Sequence, residues 1–256
     1  MEDEKQSLDI VKDAWTMIEE ARKKNVPLRM MGAVAFRTHC SEYASMFNAL
    51  AREISDIDFA GYASDSEKIE EIIKGFDYKS PRGMLGGLTH PDRLIFYNSS
   101  KKVNIDVFLD QLSMCHVINF KNRLEADYPT IPLAELLLEK MQIVEINAKD
   151  LKDTLILFLG HDLGIGDNEV INEQLILQLL SNDWGYYYTV TTNLKKVIDY
   201  VGTTAIVTES QKKLIEDRIR RLIQEIDDNP KSLKWKMRAK IGNKRKWYAD
   251  VEEVIQ

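Results

Sequence analysis

Two stretches decide the fold class of this chain: Arg52-Glu53-Ile54-Ser55-Asp56-Ile57-Asp58-Phe59 and Val103-Asn104-Ile105-Asp106-Val107-Phe108. Side chains alternate between the two faces of a strand, so Asp56 and Asp58 share one face while Ile57 and Phe59 enter the core. Asp106, set between Ile105 and Val107, reads the same way, as an acid on the polar face of a strand. If the two strands pair, three carboxylates converge. Like charges that close repel unless a divalent cation holds them together. Hard carboxylate oxygens at this density suit Mg²⁺ or Mn²⁺, the metals of phosphoryl chemistry. The plainer reading is a solvated strand whose acids bind nothing.

Upstream, Leu28-Arg29-Met30-Met31 is a short apolar strand that ends at Gly32, and Ala33-Val34-Ala35-Phe36-Arg37 starts a helix. A strand, a glycine turn and a helix N-terminus present free amides and a positive dipole end, which suits a phosphate. A first helix is expected over 7–25, with Leu8, Val11, Ala14, Trp15 and Ile18 at helical spacing, before Pro27. Residues 66–76 read as a helix with Ile69, Ile72 and Ile73 inward. Ser80 to Gly87 is a loop of turn residues. Residues 93–97 and 103–108 form a hairpin around Asn98-Ser99-Ser100-Lys101, and Asp92 reads as a turn residue. Beyond Pro132 helices are expected over 133–146, 148–161, 171–182, 192–200, 209–227 and 231–240. The break at 160–167 reads as a connection between helices, because it lacks the Gly-Lys-Ser/Thr of a phosphate loop. The expected organisation is an N-terminal helix (1–26), an α/β core (27–130) and a helical domain (131–256) with a basic C-terminal stretch.

At 256 residues and 44% hydrophobic, the chain can bury one good core or two small ones. Its net charge of −6 gives the whole molecule no electrostatic bias toward nucleic acid. Cys40 and Cys115 make no disulfide framework and read as buried thiols of a reducing cytosol. No apolar run is long enough to span a membrane, and the acidic start Met1-Glu2-Asp3-Glu4-Lys5 is unlike a signal peptide. A cytoplasmic protein is expected, with no membrane partner.

The ordered set Met31-Gly32-Ala33-Val34-Ala35, then Ser55-Asp56-Ile57-Asp58, then Asn104-Ile105-Asp106-Val107 resembles the nucleotidyltransferase superfamily, the fold shared with DNA polymerase beta. Arg52-Glu53-Ile54-Ser55-Asp56-Ile57-Asp58 is similar to the form in its abortive-infection toxin-like branch. Leu136 to Gln142, followed by Lys149-Asp150-Leu151-Lys152-Asp153, resembles the helical region after the core in that branch. The resemblance covers roughly residues 28–160. It implies an α+β fold: a small mixed sheet of the nucleotidyltransferase core with flanking helices, then a mostly helical C-terminal domain. It also implies transfer of NMP from an NTP such as ATP to a hydroxyl of RNA (tRNA), a protein as in toxin–antitoxin systems, or a small molecule. Asp56, Asp58 and Asp106 would be catalytic and would hold Mg²⁺ or Mn²⁺. Gly32, Ala33, Lys140 and Arg93 would bind the nucleotide. Two departures stand out: Ala33 replaces the usual Gly or Ser, and an insert over 41–52 lengthens the path from Gly32 to Asp56. Both motivate the alternative, a catalytically inactive nucleotide-binding or interaction protein on the same fold.

Other candidates have plainer readings beside them. Lys140, on an apolar helix, could reach a triphosphate or could snorkel from a solvated stripe. Asp150 and Asp153 stand where acids favour a helix dipole. Arg82 and Arg93 could meet phosphate bidentately. His39, His90, His116 and His161 lack zinc-ligand spacing, and no Gly-x-Ser-x-Gly elbow marks a serine hydrolase. Over 231–248, eight basic residues interleave with Trp235 and Trp247. That pattern fits an RNA contact. It also fits a basic helix pairing with the acids at 216–217 or 227–228 with its tryptophans buried.

Overall fold

A computed structural model describes residues 2–80 and 92–251, with side chains from residue 6 onward. The glycine-rich loop expected at 80–87, with Arg82, and also His90 lie almost wholly outside the described residues. The chain has an α+β architecture and divides into two compact units. One comprises residues up to Leu112 together with Ile118–Pro132; the other comprises Ser113–Val117 and everything after Pro132.

The first unit holds α1 (Glu2–Lys23), β1 (Arg29–Met31), α2 (Gly32–His39), a 3-10 turn over Ser41–Tyr43 and α3 (Ala44–Ala49). It continues with β2 (Asp56–Gly61), α4 (Ser66–Lys74), β3 (Arg93–Asn98) and β4 (Val103–Leu109). The four strands form one mixed sheet in the order β1-β2-β4-β3. Strand β2 is antiparallel to β1 and parallel to β4, and β3 is antiparallel to β4, as the hairpin reading required. Ile57, Phe59, Leu94, Phe96, Ile105 and Val107 are buried on one face of this sheet. Ile69 and Ile73 of α4 and Ala14, Met17 and Ile18 of α1 are buried too. Alternation then leaves Asp56, Asp58, Arg93 and Asp106 on the opposite, less buried face.

The buried stripe of α1 differs from the expected one. Leu8 is 63% exposed, whereas Ile10, Met17 and Ala21 are buried with Ala14 and Ile18. Both stripes have helical spacing, and packing on the sheet selects between them. The segment 41–52 is folded onto α2: an Arg37 Nη donates to the carbonyl of Arg52 at 2.5 Å, and the Arg37 guanidinium lies 4.5 Å from the Phe47 ring centroid.

The chain then forms β5 (Gln111–Ser113) and β6 (Val117–Asn119). The second unit is built from α5 (Leu133–Met141), α6 (Ala148–Gly160), β7 (Leu163–Gly164), β8 (Ile171–Asn172), α7 (Glu173–Leu180), α8 (Trp184–Thr203), α9 (Glu209–Asp228) and α10 (Leu233–Ile241). Its helices start at side-chain caps. Asn147 with Asp150 and Thr208 with Gln211 form capping boxes, and the Asp183 carboxylate accepts the Tyr186 N–H. That Asp183 cap starts α8 eight residues ahead of the expected position at 192. The early start buries Trp184 and Tyr186 together with Val190, Leu194, Val197 and Val201. The break at 160–167 contributes β7, which pairs in parallel with β8. Helix α10 has no buried residue, and Trp235 is half-buried, its ring edge-on to that of Tyr187, whose hydroxyl donates to Asp227 at 2.8 Å. Lys231 donates to backbone carbonyls, at 2.6 Å for that of Asn229. No helix among the described residues is long and apolar enough to cross a membrane.

His116 packs inside the second unit, stacked 4.7 Å from Tyr186, with Nε2 2.8 Å from the Thr189 hydroxyl oxygen. Burial pushes its pKa down from 6.5 to about 4. The unfolded chain therefore takes up a proton near pH 6.5 that the folded protein refuses until about pH 4. His116's contribution to stability is complete above pH 6.5 and is lost as the pH falls toward 4. After allowance for residual solvent screening the loss is on the order of 2 kcal/mol. His116→Gln should flatten this part of the stability profile. Urea midpoints measured between pH 7 and 4.5 for both proteins check it.

Candidate active site

The polar face of the sheet collects the acids because the core fixes strand register. Ile57 and Phe59 are fully buried, which turns the intervening Asp58 outward and leaves Asp56 exposed at the start of β2. In the parallel ladder Asp58 lies opposite Asp106, and Asp56 lies opposite Asn104. Neighbouring strands run about 4.8 Å apart, so Asp58 and Asp106 stand side by side on one face. On the other side of β2, Asp58 faces Met31 of antiparallel β1. The next residue is Gly32, where α2 begins.

That junction is tight. Met31, the N-cap residue, is extended (φ −138°, ψ −173°), and its own side chain makes no capping bond. Gly32 has a φ of +63°. A Cβ built on Gly32 would fall 2.2 Å from Asp58 Oδ2 and 3.1 Å from its Cγ. Glycine is thus required twice, for its backbone conformation and for space. The Asp58 carboxylate presses against the N-terminus of α2, where the helix dipole favours an anion. Ala33 follows, 8% exposed, and its methyl group offers no hydrogen bond.

Arg93, at the start of β3 and expected to contact a phosphate, pairs with Asp106. Its Nε donates to Oδ1 at 3.1 Å and an Nη lies 2.7 Å from Oδ2, a two-pronged pairing. Its guanidinium also lies 5.0 Å from the Phe108 ring centroid. Phe108 faces Arg93 in the β3–β4 ladder, and Asp106 sits two residues back on the same face. The guanidinium offsets part of the repulsion among the acids. The signal for this pair was present in the hairpin, since counting back from its turn sets Arg93 diagonally across from Asp106.

Lys140 belongs to the second unit, near the end of α5. Its Nζ lies 3.4 Å from Glu139 Oε1, 3.3 Å from Asp150 Oδ1 and 3.9 Å from Asp153 Oδ2. All four residues are buried. Neither a snorkelling lysine nor a solvated stripe describes this group. Asp150 has a second task, because its carboxylate accepts the Asn147 N–H and closes the capping box of α6. Lys140, Asp150 and Asp153 therefore form an internal ion cluster that ties α5 to α6.

No known protein family, curated protein or solved structure was found to match this chain. The chemistry rests on the arrangement itself. The site combines hard oxygen donors on one face of the sheet, a helix N-terminus beside Asp58, and a guanidinium on Asp106.

Two substitutions probe these contacts. Gly32→Ala should destabilise the first unit by about 2–3 kcal/mol, combining backbone strain with a clash against Asp58. The double variant Gly32→Ala/Asp58→Gly should recover the share due to the clash. Lys140→Met removes a shared ammonium from three buried carboxylates, so it should cost about 3–5 kcal/mol and lower the midpoint of urea unfolding. A Lys140→Met protein as stable as wild type would show that the cluster has other compensation.

Proposed function

We propose that this chain is a metal-dependent nucleotidyltransferase that moves NMP from an NTP to a hydroxyl. The observation that carries the reading is the placement of Asp58, pressed against Gly32 at the start of α2 and side by side with Asp106. The strand–glycine–helix junction beside a parallel pair of acid-bearing strands supports a nucleotidyltransferase-like core and agrees with the motif resemblance. The donor set fits Mg²⁺ or Mn²⁺: all its ligands would be carboxylate oxygens, the choice of hard divalent cations. Asp56, Asp58 and Asp106 would hold the metal. When bound, it would neutralise triphosphate charge and polarise the phosphorus under attack.

The residues of the chain would do the rest. The amides that follow Gly32 would receive phosphate oxygens at the α2 N-terminus. An Asp106 carboxylate oxygen would accept the proton of the attacking hydroxyl. The acceptor oxygen bonds to the α-phosphorus, the α–β phosphoanhydride bond breaks, and pyrophosphate leaves. Arg93 would pass from Asp106 to an incoming phosphate, since its planar fork suits either anion. Positioning and charge stabilisation carry most of such a reaction. The acceptor, whether tRNA, a protein or a small molecule, would be met in the cytoplasm.

A second reading is a catalytically inactive nucleotide-binding or interaction protein. The Arg93 fork favours it, because both Asp106 oxygens are already partnered. So does Ala33, which cannot donate a hydroxyl to phosphate.

Labelled NTPs, Mg²⁺ and a cell extract separate the two. Transferase activity should label an acceptor and release pyrophosphate, and Asp58→Asn should lose at least ~100-fold of that rate. Arg93→Met, which keeps an unbranched apolar side chain against Phe108 while freeing Asp106, should enlarge the rise in Tm caused by Mn²⁺. Nucleotide binding without transfer from any of the four NTPs would establish the second reading.

A further inference from the structure

A cavity of about 760 Å³ opens in the second unit where the start of α8, helix α10 and residues 246–249 meet. Its volume suits a small organic ligand. Three of the chain's four tryptophans line it, Trp184, Trp235 and Trp247, together with the cations Lys234, Arg238 and Lys246. Asp183 is the single carboxylate among the lining residues, and its Oδ1 is taken by the Tyr186 N–H. The lining is therefore cationic in a chain whose net charge is −6.

The cations differ in how they are occupied. Arg238 lies 4.8 Å from the Trp184 ring centroid and donates to the carbonyls of Gly242, Arg245 and Lys246, and it pairs with no carboxylate among the described residues. Lys246 pairs with Asp250. Lys234 is exposed and makes no hydrogen bond or ion pair among the described residues. The wall carrying Trp247 is fixed. Its Nε1–H donates to Thr189 Oγ1 at 3.0 Å, and its carbonyl oxygen sits where a Cβ on Gly185 would approach to 2.4 Å. Ala249 N–H donates to the Cys115 carbonyl at 3.1 Å.

We propose that this cavity binds a nucleobase carrying a phosphate, presented as a free nucleotide or as an unpaired nucleotide of an RNA strand. Each part of such a ligand has a partner on the wall. Indole rings stack with bases of any sequence. Lys234 meets the phosphate. A fatty anion would satisfy the lysine but bring no planar ring to the indoles. The inference is independent of the chemistry assigned to the first unit.

Because the cavity holds three of the four tryptophans, intrinsic fluorescence reads it directly. The full chain is titrated with the four nucleoside monophosphates, with a short single-stranded RNA, and with ribose 5-phosphate and laurate as controls. Saturable quenching by a monophosphate or the RNA is expected below about 1 mM. Lys234→Glu should weaken it at least about tenfold, and Trp235→Ala, which removes a ring from the wall, should weaken it several-fold. Asp56→Ala, in the first unit, should leave it unchanged, so failure of the transferase reading would not affect this result. Equal affinity for RNA and monophosphate identifies the free nucleotide as ligand. Much tighter, steeply salt-dependent binding of the RNA identifies a strand. No saturation with any nucleotide or RNA, equal binding of ribose 5-phosphate or laurate, or unchanged affinity in Lys234→Glu overturns the proposal.

Discussion

The parallel pairing of β2 with β4 is the constraint on which the candidate active site depends. Partners in a parallel ladder present their side chains on the same face, so pairing Asp58 with Asp106 brings together acids far apart in sequence. The same β2 strand pairs on its other edge with β1, which sets Met31 beside Asp58 and starts α2 one residue later. The register is held by burial. A slip of one residue would send Ile57 and Phe59 to the polar face and both aspartates into the core. Burying Phe59 is worth about 1.5–3 kcal/mol, and leaving an unpaired carboxylate in the core costs more. Apolar packing therefore positions the charged groups.

Electrostatics then decide whether that face tolerates its own charge. Asp58 is eased by the positive end of α2 and Asp106 by the Arg93 guanidinium, while Asp56 stays exposed to water. These three separate devices let the acids coexist without a cation. They also pose the chemical question of the site, since Arg93 and a metal compete for the same two Asp106 oxygens. In a working transferase the incoming triphosphate would give the guanidinium a stronger anion and release Asp106. In a binding protein the pair would stay closed. Both follow from one arrangement, and only the relative strength of the two anions for Arg93 separates them.

The legible parts of the fold were those with a local cause. The alternation around Asp56, Asp58 and Asp106, the hairpin at 93–108, the glycine junction at residue 32 and the inward isoleucines of α4 each follow from spacing alone. The stripe of α1 was ambiguous because two apolar stripes run along one helix, and only the sheet selects Met17 over Leu8. Helix α8 was misjudged because Tyr186-Tyr187-Tyr188-Thr189-Val190 is rich in strand-favouring residues. The Asp183 cap and burial of alternate turns override that propensity. Lys140 shows the limit most clearly. Its identity suggested a phosphate ligand; in the structure its ammonium stands among Glu139, Asp150 and Asp153, and no local pattern records that ion cluster.

Net charge says little about local anion binding for a similar reason. The value of −6 describes a sum over the whole chain, whereas a bound anion responds to charges within about 8–10 Å at physiological salt. Eight basic residues over 231–248 are concentrated on α10 and the segment after it, and part of that charge lines the tryptophan cavity. Such a sequence would ordinarily bury its indoles against neighbouring acidic helices. Here α10 has no buried residue, and Lys231 is held by backbone carbonyls beside Asp227 and Asp228. Trp184 and Trp247 are held by Tyr188 through stacking and edge contacts, which fixes a rigid aromatic wall while the cations remain near solvent. An acidic chain can thus carry a cationic, aromatic recess without contradiction. That recess is what a planar anionic ligand requires, because rigid walls lower the entropy lost when the ligand is held.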